Sequence, residues 1–425
     1  MPSSTTPSSI NSNQNENPCH GNPSEELVSA GTIVHQVPTS CIDSAASCIQ
    51  RFDWKKNSAF PVMSTRVGLC VCGTSPMHIH YAMRAQAMPF WKHAFQTPAF
   101  SFGVGELRSQ VHTIVGPAVG RTPSIAAFNL EAITRGDTLG FKGLEGFGSS
   151  SIASQDNKLV ALQNSGKRVL CLAQSRAVIE FLGAELESTQ VLENGIEEMG
   201  QVILEHVQKQ DFDLILGITD DVLQHSFHSS SQECIAFYAQ LDSLLQKLAD
   251  SKLADFVVTS SHGMNEKKSF DGKLKVIDLE EILARQSISG KVKIVSDSND
   301  SYHAHSSCAF IHLEDKNQLN QCLSHLRSLP GVYAALGAQD ASRGLEIPPE
   351  LLGDIVLLGD QSTLFGASIS CHQSLQNHGG LDEQTVPFLY HCSSESGIKK
   401  EYRDIVTKGK VRNHSMLDFL LQSIP

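Results

Sequence analysis

The sequence contains no long apolar run. No stretch approaches the roughly 20 residues that a membrane-spanning helix needs, and Met1–Gln50 contains neither Arg nor Lys, nor a basic segment followed by an apolar one. These absences argue against a transmembrane anchor, a secretory signal and a mitochondrial presequence. We therefore expect a cytoplasmic protein that does not act at a membrane.

Positive charge is also scarce. The 425 residues carry 33 Lys and Arg against 45 Asp and Glu, a formal net charge of −12, and no basic domain or stripe is visible. Recognition of a nucleic-acid backbone needs such a basic surface. Nucleic-acid binding is therefore not expected. The oligomeric state is left open, and a homodimer is one of the states that the sequence allows.

Cysteine and histidine are both well represented. The 11 Cys residues are an odd number, and their spacing resembles neither a zinc ribbon nor the disulfide framework of a small secreted domain. Free thiols in a reducing compartment are the better interpretation. The 18 His residues are compatible with metal binding or proton transfer, but composition alone does not decide between these roles and ordinary structural ones.

The hydrophobic pattern divides the chain into four segments. Residues 1–62 begin with a stretch dominated by Ser, Thr, Pro, Asn and Gln, and we predict a disordered or weakly ordered extension because such a segment buries too little apolar area. Residues 63–287 are predicted to form the first part of a core domain. Residues 288–350 are predicted as an inserted small α+β cap, and 351–425 as the second part of the core. The apolar run Gly353–Gly359 is predicted to return to the core sheet.

Strand-like and helical patterns alternate along the core segment. Val67–Gly73, Phe212–Ile218 and Asp255–Thr259 are apolar runs typical of buried parallel strands, whereas Met77–Phe95 and Glu233–Ser251 have helical spacing of apolar residues. This alternation predicts an α/β fold with a mostly parallel central sheet that is covered by helices on both faces.

Polar side chains able to bind a metal follow several of these strands, where open α/β sheets bind their ligands. Asp221 and His225 are four residues apart, so they share one face if a helical turn begins there. His262, His378 and Cys72 lie in three further segments of this kind. Imidazole and carboxylate ligands with one open position suit a hydrolytic zinc site. The alternative is a set of loops whose polar residues form turns and caps.

Two of these segments resemble the C-terminal metal motifs of the alkaline phosphatase superfamily. They read Thr259-Ser-Ser-His-Gly-Met-Asn265 and His378-Gly-Gly-Leu-Asp-Glu-Gln-Thr-Val-Pro-Phe388. The most similar branch is that of the phosphonoacetate hydrolases, which cleave the C–P bond of phosphonoacetate to give acetate and phosphate. The similarity extends over roughly Val67 to Tyr390 and is strongest from residue 212 onward.

The resemblance implies an alkaline-phosphatase-like fold and a site for two zinc ions about 4 Å apart. One ion of the family is held by an Asp and two His, to which Asp221, His225 and His378 correspond. At the other ion His262 is retained, but Cys72 and Ser261 stand where the family has Asp. Cys72 and His262 are thus candidate ligands of an altered second ion, since a thiolate also binds zinc. The alternative for Cys72 is a small buried apolar residue. One zinc ion is expected, and the second is left open.

The resemblance also implies a Thr nucleophile at the start of a helix. Matching the sequences places Ala118 at that position, and a shifted loop would bring in Thr122 or Ser124 instead. Thr122 is therefore the candidate catalytic residue. The two lysines that hold the substrate's anionic groups in the family correspond to Gln174 and Arg176, which makes Arg176 the candidate substrate-binding residue.

Two functions follow from these expectations. The first is a divergent phosphonoacetate-hydrolase-like enzyme that hydrolyses a small phosphonate-, phosphate- or carboxylate-bearing substrate, with water in place of the Thr nucleophile and zinc as Lewis acid. The second is a catalytically inactive relative that binds an anionic ligand or a partner protein. The complete Asp221, His225 and His378 set favours the enzyme, and Ala118 with the altered second-ion ligands favours the inactive protein.

Overall fold

The structure is a computed structural model, and it describes residues 64–96, 111–147, 151–182, 185–268, 272–297, 305–367, 376–394 and 397–422. The predicted N-terminal extension, residues 1–62, lies outside the described residues. None of the helices within the described ranges combines the length and the apolar character that crossing a bilayer requires.

Helices and strands alternate along most of the chain. The helices are α1 Pro76–Arg84, α2 Pro89–Gln96, α3 Ala126–Arg135, α4 Lys158–Asn164, α5 Arg176–Leu182, α6 Gly195–Lys209, α7 Val222–Ser226, α8 Gln232–Ser251, α9 Leu279–Arg285, α10 Leu319–Arg327, α11 Ala338–Leu345, α12 Lys400–Thr407 and α13 Met416–Gln422. The strands are β1 Thr65–Val71, β2 Thr113–Val119, β3 Val169–Ala173, β4 Ser188–Val191, β5 Leu214–Thr219, β6 Ala254–Thr259, β7 Asn265–Glu266, β8 Lys275–Ile277, β9 Gly290–Ile294, β10 Cys308–Leu313, β11 Val332–Gly337, β12 Ile355–Gly359, β13 Thr363–Phe365, β14 Gln376–Asn377, β15 Thr385–His391 and β16 Val411–Arg412.

The central sheet has eight strands in the order β16–β2–β15–β6–β1–β5–β3–β4. Every neighbouring pair is parallel, except that β15 is antiparallel to both β2 and β6. The residues of β1, β5 and β6 are buried throughout, as expected of strands covered on both faces. The α/β class and the mostly parallel sheet predicted from the sequence are confirmed.

Helices cover both faces of this sheet because side chains alternate along each strand. Val67, Leu69 and Val71 of β1 point to one face, where they share a core with residues of α1, α2, α6 and α8. Cys70, and Cys72 just beyond the strand, belong to the opposite core, which includes residues of α3, α4, α5 and α13. The two apolar layers enclose the sheet and fix the position of its edge loops.

The helix predicted over Met77–Phe95 is two helices, α1 and α2. Gln86 has a positive φ of 60° between them, and Pro89 begins α2. Proline lacks the N–H that an interior helical position donates, so it is tolerated at the start of a helix and interrupts a continuing one. On α2, Trp91 and Ala94 are buried.

A smaller antiparallel sheet, in the order β11–β12–β10–β9, lies between β6 and β15 in the chain. Strand β12 belongs to it, pairing with β10 and β11, so the prediction that Gly353–Gly359 returns to the core sheet is wrong. The small sheet is itself covered on both faces, by α9 and α10 on one side and by α11 and α3 on the other. A strand buried on both faces has the same apolar pattern in either sheet, so the sequence does not distinguish them.

Strand direction determines which loops meet. The carboxyl ends of β1, β2, β5 and β6 lie at one edge of the central sheet because these strands point the same way. The amino end of β15 lies at the same edge because β15 runs in the opposite direction. The segments after β5 and β6 and the segment before β15 therefore converge.

Candidate metal centre

The sheet brings four side chains that are able to bind a metal to this edge. Asp221 follows β5, and His225 lies one helical turn later in α7. His262 follows β6, and His378 lies in the loop that leads into β15. The short strands β7 and β14 pair antiparallel between the last two loops, which holds the His262 and His378 segments side by side.

The carboxylate of Asp221 is the centre of the group. Its Oδ2 lies 3.4 Å from His225 Nε2, 3.3 Å from His262 Nε2 and 3.7 Å from His378 Nε2. Ligand atoms bound about 2.0–2.1 Å from a tetrahedral zinc ion lie roughly 3.3–3.4 Å from one another. Asp221, His225 and His378 each offer a ligand atom within 4.8 Å of the others, so these spacings suit a zinc ion.

The three imidazoles share one hydrogen-bonding arrangement. Each Nδ1 lies 2.9–3.0 Å from a backbone carbonyl oxygen. The pairs are His225 with Gln376, His262 with Gly263, and His378 with Ser124. A carbonyl can only accept, so each Nδ1 is the protonated donor, and Nε2 is the atom available to a metal. The backbone thus orients all three Nε2 atoms toward one region.

The Asp221 carboxylate and the three imidazoles shift one another's pKa values. Burial alone would raise the pKa of Asp221, but the close His225 and His262 imidazoles hold that pKa well below its usual value. Burial lowers the pKa values of His225 and His262, and the Asp221 carboxylate outweighs it, so both are raised. Burial and the two neighbouring imidazoles hold the pKa of His378 well below its usual value. Without a metal, protonation is therefore more favourable at His225 and His262 than at His378.

A fifth residue of the centre, Asp297, was not predicted from the sequence. It follows β9 of the small sheet, and its carboxylate accepts from the backbone N–H groups of Ala126 (2.7 Å) and Ala127 (2.8 Å) at the start of α3. Its Oδ2 lies 3.9 Å from His378 Nε2. Asp297, His262 and His378 form a second group whose ligand atoms lie within 4.8 Å of one another. Burial raises the pKa of Asp297.

Cys72 is close to the centre without being part of either group. It is buried, and its thiol pKa is raised well above its usual value by interaction with Cys70 and by burial. A thiol binds zinc as the thiolate, which this environment disfavours. Among the described residues, both ligand groups exclude Cys72. Its role as a ligand of a second ion stays a prediction, and its packing fits a small buried residue.

The segment predicted to carry the nucleophile differs in structure from the helix start that the resemblance implies. Ala118 lies inside β2, where it pairs with Val386 and Val411, so it is not at the start of a helix. The Thr122 hydroxyl donates to Gln384 Oε1 over 3.3 Å, and the Ser124 hydroxyl donates to backbone carbonyl oxygens. Both hydroxyls are buried and engaged with these partners. Thr122 as a catalytic residue stays a prediction.

Arg176 begins α5 at the carboxyl end of β3, on the same edge of the sheet, and its side chain is exposed. Gln174 accepts from the backbone N–H of Asp220 over 3.1 Å. Among the described residues, the ion pairs of Asp221 and Asp297 are all with histidine. Arg176 as a substrate-binding residue therefore stays a prediction.

A buried ion pair supports two of the loops. Glu383 Oε1 accepts from Lys267 Nζ (2.8 Å) and Asn265 Nδ2 (2.7 Å), and Glu383 Oε2 accepts from the backbone N–H of Gly380 (2.8 Å). Lys267 and Glu383 are almost completely buried. One carboxylate thus connects the segment after His262 with the Gly380 loop.

Several solved structures share the fold described above. The alkaline-phosphatase-like fold that the resemblance implied is confirmed by this likeness. Phosphonoacetate hydrolase from Sinorhizobium meliloti 1021 is similar in two complexes, with phosphonoformate at 21% identity and with phosphonoacetate at 22%. Both have a TM-score of 0.70 and cover 86% of this chain and 97% of the other.

A second similar structure is an inactive murine ectonucleotide pyrophosphatase/phosphodiesterase 5 in complex with AMP. It has 15% identity and a TM-score of 0.57, and the match covers 85% of this chain and 96% of the other. At these identities the likeness is one of fold. No protein-family model matches the chain.

Proposed function

We propose that the protein is a cytoplasmic, zinc-dependent hydrolase, divergent from the phosphonoacetate hydrolases, with zinc held by Asp221, His225 and His378. The observation that carries this proposal is the shared orientation of the imidazoles. Their Nδ1 atoms donate to backbone carbonyls, and Nε2 of His225 and Nε2 of His378 lie 3.4 and 3.7 Å from Asp221 Oδ2. A neutral imidazole with a fixed tautomer beside a carboxylate is a typical arrangement of zinc ligands.

The donor set fits the ion, and Nε2 of His262, which is buried beside Asp221, makes no hydrogen bond of good geometry within the protein. A zinc ion bound here supplies Lewis-acid polarisation of a phosphoryl or carboxyl oxygen. Residues of the chain orient the ligands and attract the substrate. The carbonyls of Gln376 and Ser124 keep the rings oriented, and the exposed Arg176 attracts the anionic substrate to this edge of the sheet.

The substrate class is a small molecule that bears a phosphonate, phosphate or carboxylate. Water is the nucleophile in this proposal because the Thr122 and Ser124 hydroxyls already donate to other partners. The hydrolysis of a similar substrate is supported by the likeness to structures that hold phosphonoformate, phosphonoacetate and AMP.

A second candidate function, an inactive anion- or partner-binding relative, is favoured by one observation. The Asp297 carboxylate accepts from the first N–H groups of α3, the helix end where the resemblance places the family's nucleophile. A carboxylate there competes with a substrate anion for the same donors.

The two candidates are separated by metal analysis and a hydrolysis assay on the same preparation. We expect about one zinc ion per chain and release of phosphate from phosphonoacetate or a phosphate ester. His225→Ala should lose both. His206→Ala is the matched control because His206 also pairs with an aspartate, Asp211, at 3.0 Å and is similarly exposed. Bound zinc without hydrolysis of any phosphonate or phosphate ester would favour the inactive relative, and a chain without zinc would contradict the hydrolase.

A further inference from the structure

His262 is a buried imidazole whose second nitrogen lacks a good hydrogen bond. The side chain is 0% exposed, and Nδ1 is engaged by the Gly263 carbonyl at 2.9 Å. Nε2 lies 3.3 Å from Asp221 Oδ2 but makes no hydrogen bond of good geometry. Leaving a buried polar atom unpaired is unfavourable because the hydrogen bonds it makes with water in the unfolded chain are lost. A ligand in front of Nε2 would remove this cost.

The ring of His262 is stacked on that of His378, with 4.0 Å between centroids and 28° between planes. Asp297 approaches the pair from the small-sheet side, with its Oδ2 3.9 Å from His378 Nε2. The ligand atoms of His262, Asp297 and His378 all lie within 4.8 Å of one another. Two imidazole nitrogens and a carboxylate oxygen are a common protein ligand set of zinc.

We propose that Asp297 is the second carboxylate ligand of the metal centre and binds the ion together with His262 and His378. This inference rests on the proposed function, because it concerns the same centre. Asp297 then supplies the negative charge that Cys72 and Ser261 do not supply at the positions where the resemblance has Asp. The carboxylate comes from a different element, the segment after β9 of the small sheet.

His378 belongs to both ligand groups, and one imidazole lone pair binds one ion at a time. The two groups therefore describe two overlapping positions of a single ion rather than two independent three-ligand sites. With Asp221 and Asp297 both present, two carboxylates balance the charge of one divalent ion. A stoichiometry of one metal per chain follows.

The hydrogen bonds to α3 explain how Asp297 is held in place. The Ala126 and Ala127 amides fix both carboxylate oxygens, and the helix N-terminus favours the charged form. Asp242 provides a comparison, because its carboxylate also accepts from two backbone amides at the start of a helix. It is buried, and its carboxylate accepts from the Phe90 and Trp91 amides at the start of α2, where no metal group is found among the described residues.

The test compares zinc affinity of Asp297→Asn with that of Asp242→Asn, measured by competition with a chromophoric chelator. Asparagine retains an acceptor for the helix amides in both variants and removes the charge. Loss of residues that only support metal ligands costs 10–100-fold in metal affinity, so we expect Asp297→Asn to lose roughly 100-fold or more and Asp242→Asn to bind as the unmodified chain does. The visible absorption of the bound Co²⁺ form should change in Asp297→Asn only.

Asp297→Ser is the second variant, since a serine hydroxyl also accepts from helix amides, and circular dichroism establishes that each variant is folded. Zinc affinity and a Co²⁺ spectrum that are unchanged in a folded Asp297 variant would overturn the inference and leave the proposed function standing. Absence of zinc binding by the unmodified chain would overturn both. Weaker binding by both Asp297→Asn and Asp242→Asn to the same extent would show a capping effect and overturn the inference.

Discussion

His262 and His378 stack face to face with 4.0 Å between ring centroids, although they follow different strands and lie far apart in the chain. Their Nε2 atoms both face Asp221 Oδ2. Two imidazolium rings at this separation would repel, and burial together with its imidazole neighbours keeps the pKa of His378 well below its usual value. His378 therefore resists protonation, and its Nε2 lone pair is available to a bound cation.

Zinc should accordingly stabilise the folded chain. A ligand that binds only the folded state at 100 times its dissociation constant adds about 2.7 kcal/mol, so we expect an excess of zinc to raise the melting temperature by several degrees and a chelator to reverse the shift. Differential scanning fluorimetry on the purified protein measures this. In His378→Ala the shift should vanish, and a zinc-dependent shift of normal size in that variant would contradict the role of His378.

Removing one partner of the buried Lys267–Glu383 pair should strongly destabilise the fold. Glu383→Gln removes the charge that faces Lys267 Nζ at 2.8 Å, and breaking a buried pair on one side typically costs 3–5 kcal/mol because the remaining charge is uncompensated. We expect a loss of about that size in urea unfolding. The double variant Lys267→Met with Glu383→Gln should recover part of it.

An exposed pair provides the control for this prediction. Lys316 is 66% exposed and pairs with Asp354, and exposed pairs contribute about 0–1 kcal/mol. Lys316→Met should therefore leave the free energy of unfolding nearly unchanged. Equal losses in Glu383→Gln and Lys316→Met would show that burial of the Lys267–Glu383 pair has no special effect.

Gly379 should be required for the position of His378. Its φ of +112° disfavours other residues, and a Cβ there would lie 1.9 Å from Ser306 Oγ and 3.1 Å from the Ser307 backbone nitrogen. Gly379→Ala should therefore displace the loop and weaken zinc binding. Gly166→Ala is the control, because Gly166 also has a positive φ of +86° but no atom within 4 Å of the added Cβ. That variant should lose some stability and keep its zinc affinity.

Acid should destabilise the protein through His391. Burial lowers the pKa of this histidine to about 4, compared with about 6.5 in an unfolded chain. Between these values the unfolded chain binds a proton that the folded chain does not. Stability is thus fully present above about pH 6.5 and is lost as the pH falls toward 4. The loss is on the order of 3 kcal/mol at most.

Replacing His391 tests this origin. The ring stacks on Phe256 with 4.6 Å between centroids, so His391→Phe keeps the packing and removes the titrating group. The free energy of urea unfolding should then fall less between pH 7 and pH 5 than it does in the unmodified chain. Replacement of the solvent-exposed His312 by Asn should leave the pH dependence as it is, and an undiminished fall in His391→Phe would contradict the assignment.

The sequence was informative about the sheet and about the group at its edge. The apolar runs of β1, β5 and β6 predict the parallel core, and the position of Asp221, His225 and His378 beside strands predicts that they meet. The structure brings these three together, while their role as zinc ligands stays a prediction. The local sequence was enough to predict this group because each of its residues lies within a few positions of a strand or of a motif.

Asp297 could not be predicted in the same way. It lies in a polar stretch after β9, and its composition is typical of any turn. Its approach to His378 depends on how the small sheet packs against α3, through contacts such as those of Ile125 and Phe128. The membership of β12 in the small sheet escaped prediction for a related reason, since strand pairing over long distances leaves no local signal.

The place of β15 between β2 and β6 has a consequence for how the protein assembles during synthesis. Within the described part of the chain, strands β2 and β16 join the rest of the central sheet through β15, and the loop with His378 leads into β15. A nascent chain that ends before residue 378 lacks both His378 and the strand that joins β2 to the rest of the sheet. Ribosome-bound fragments of increasing length should therefore begin to bind zinc only when the segment that contains His378 has left the ribosome.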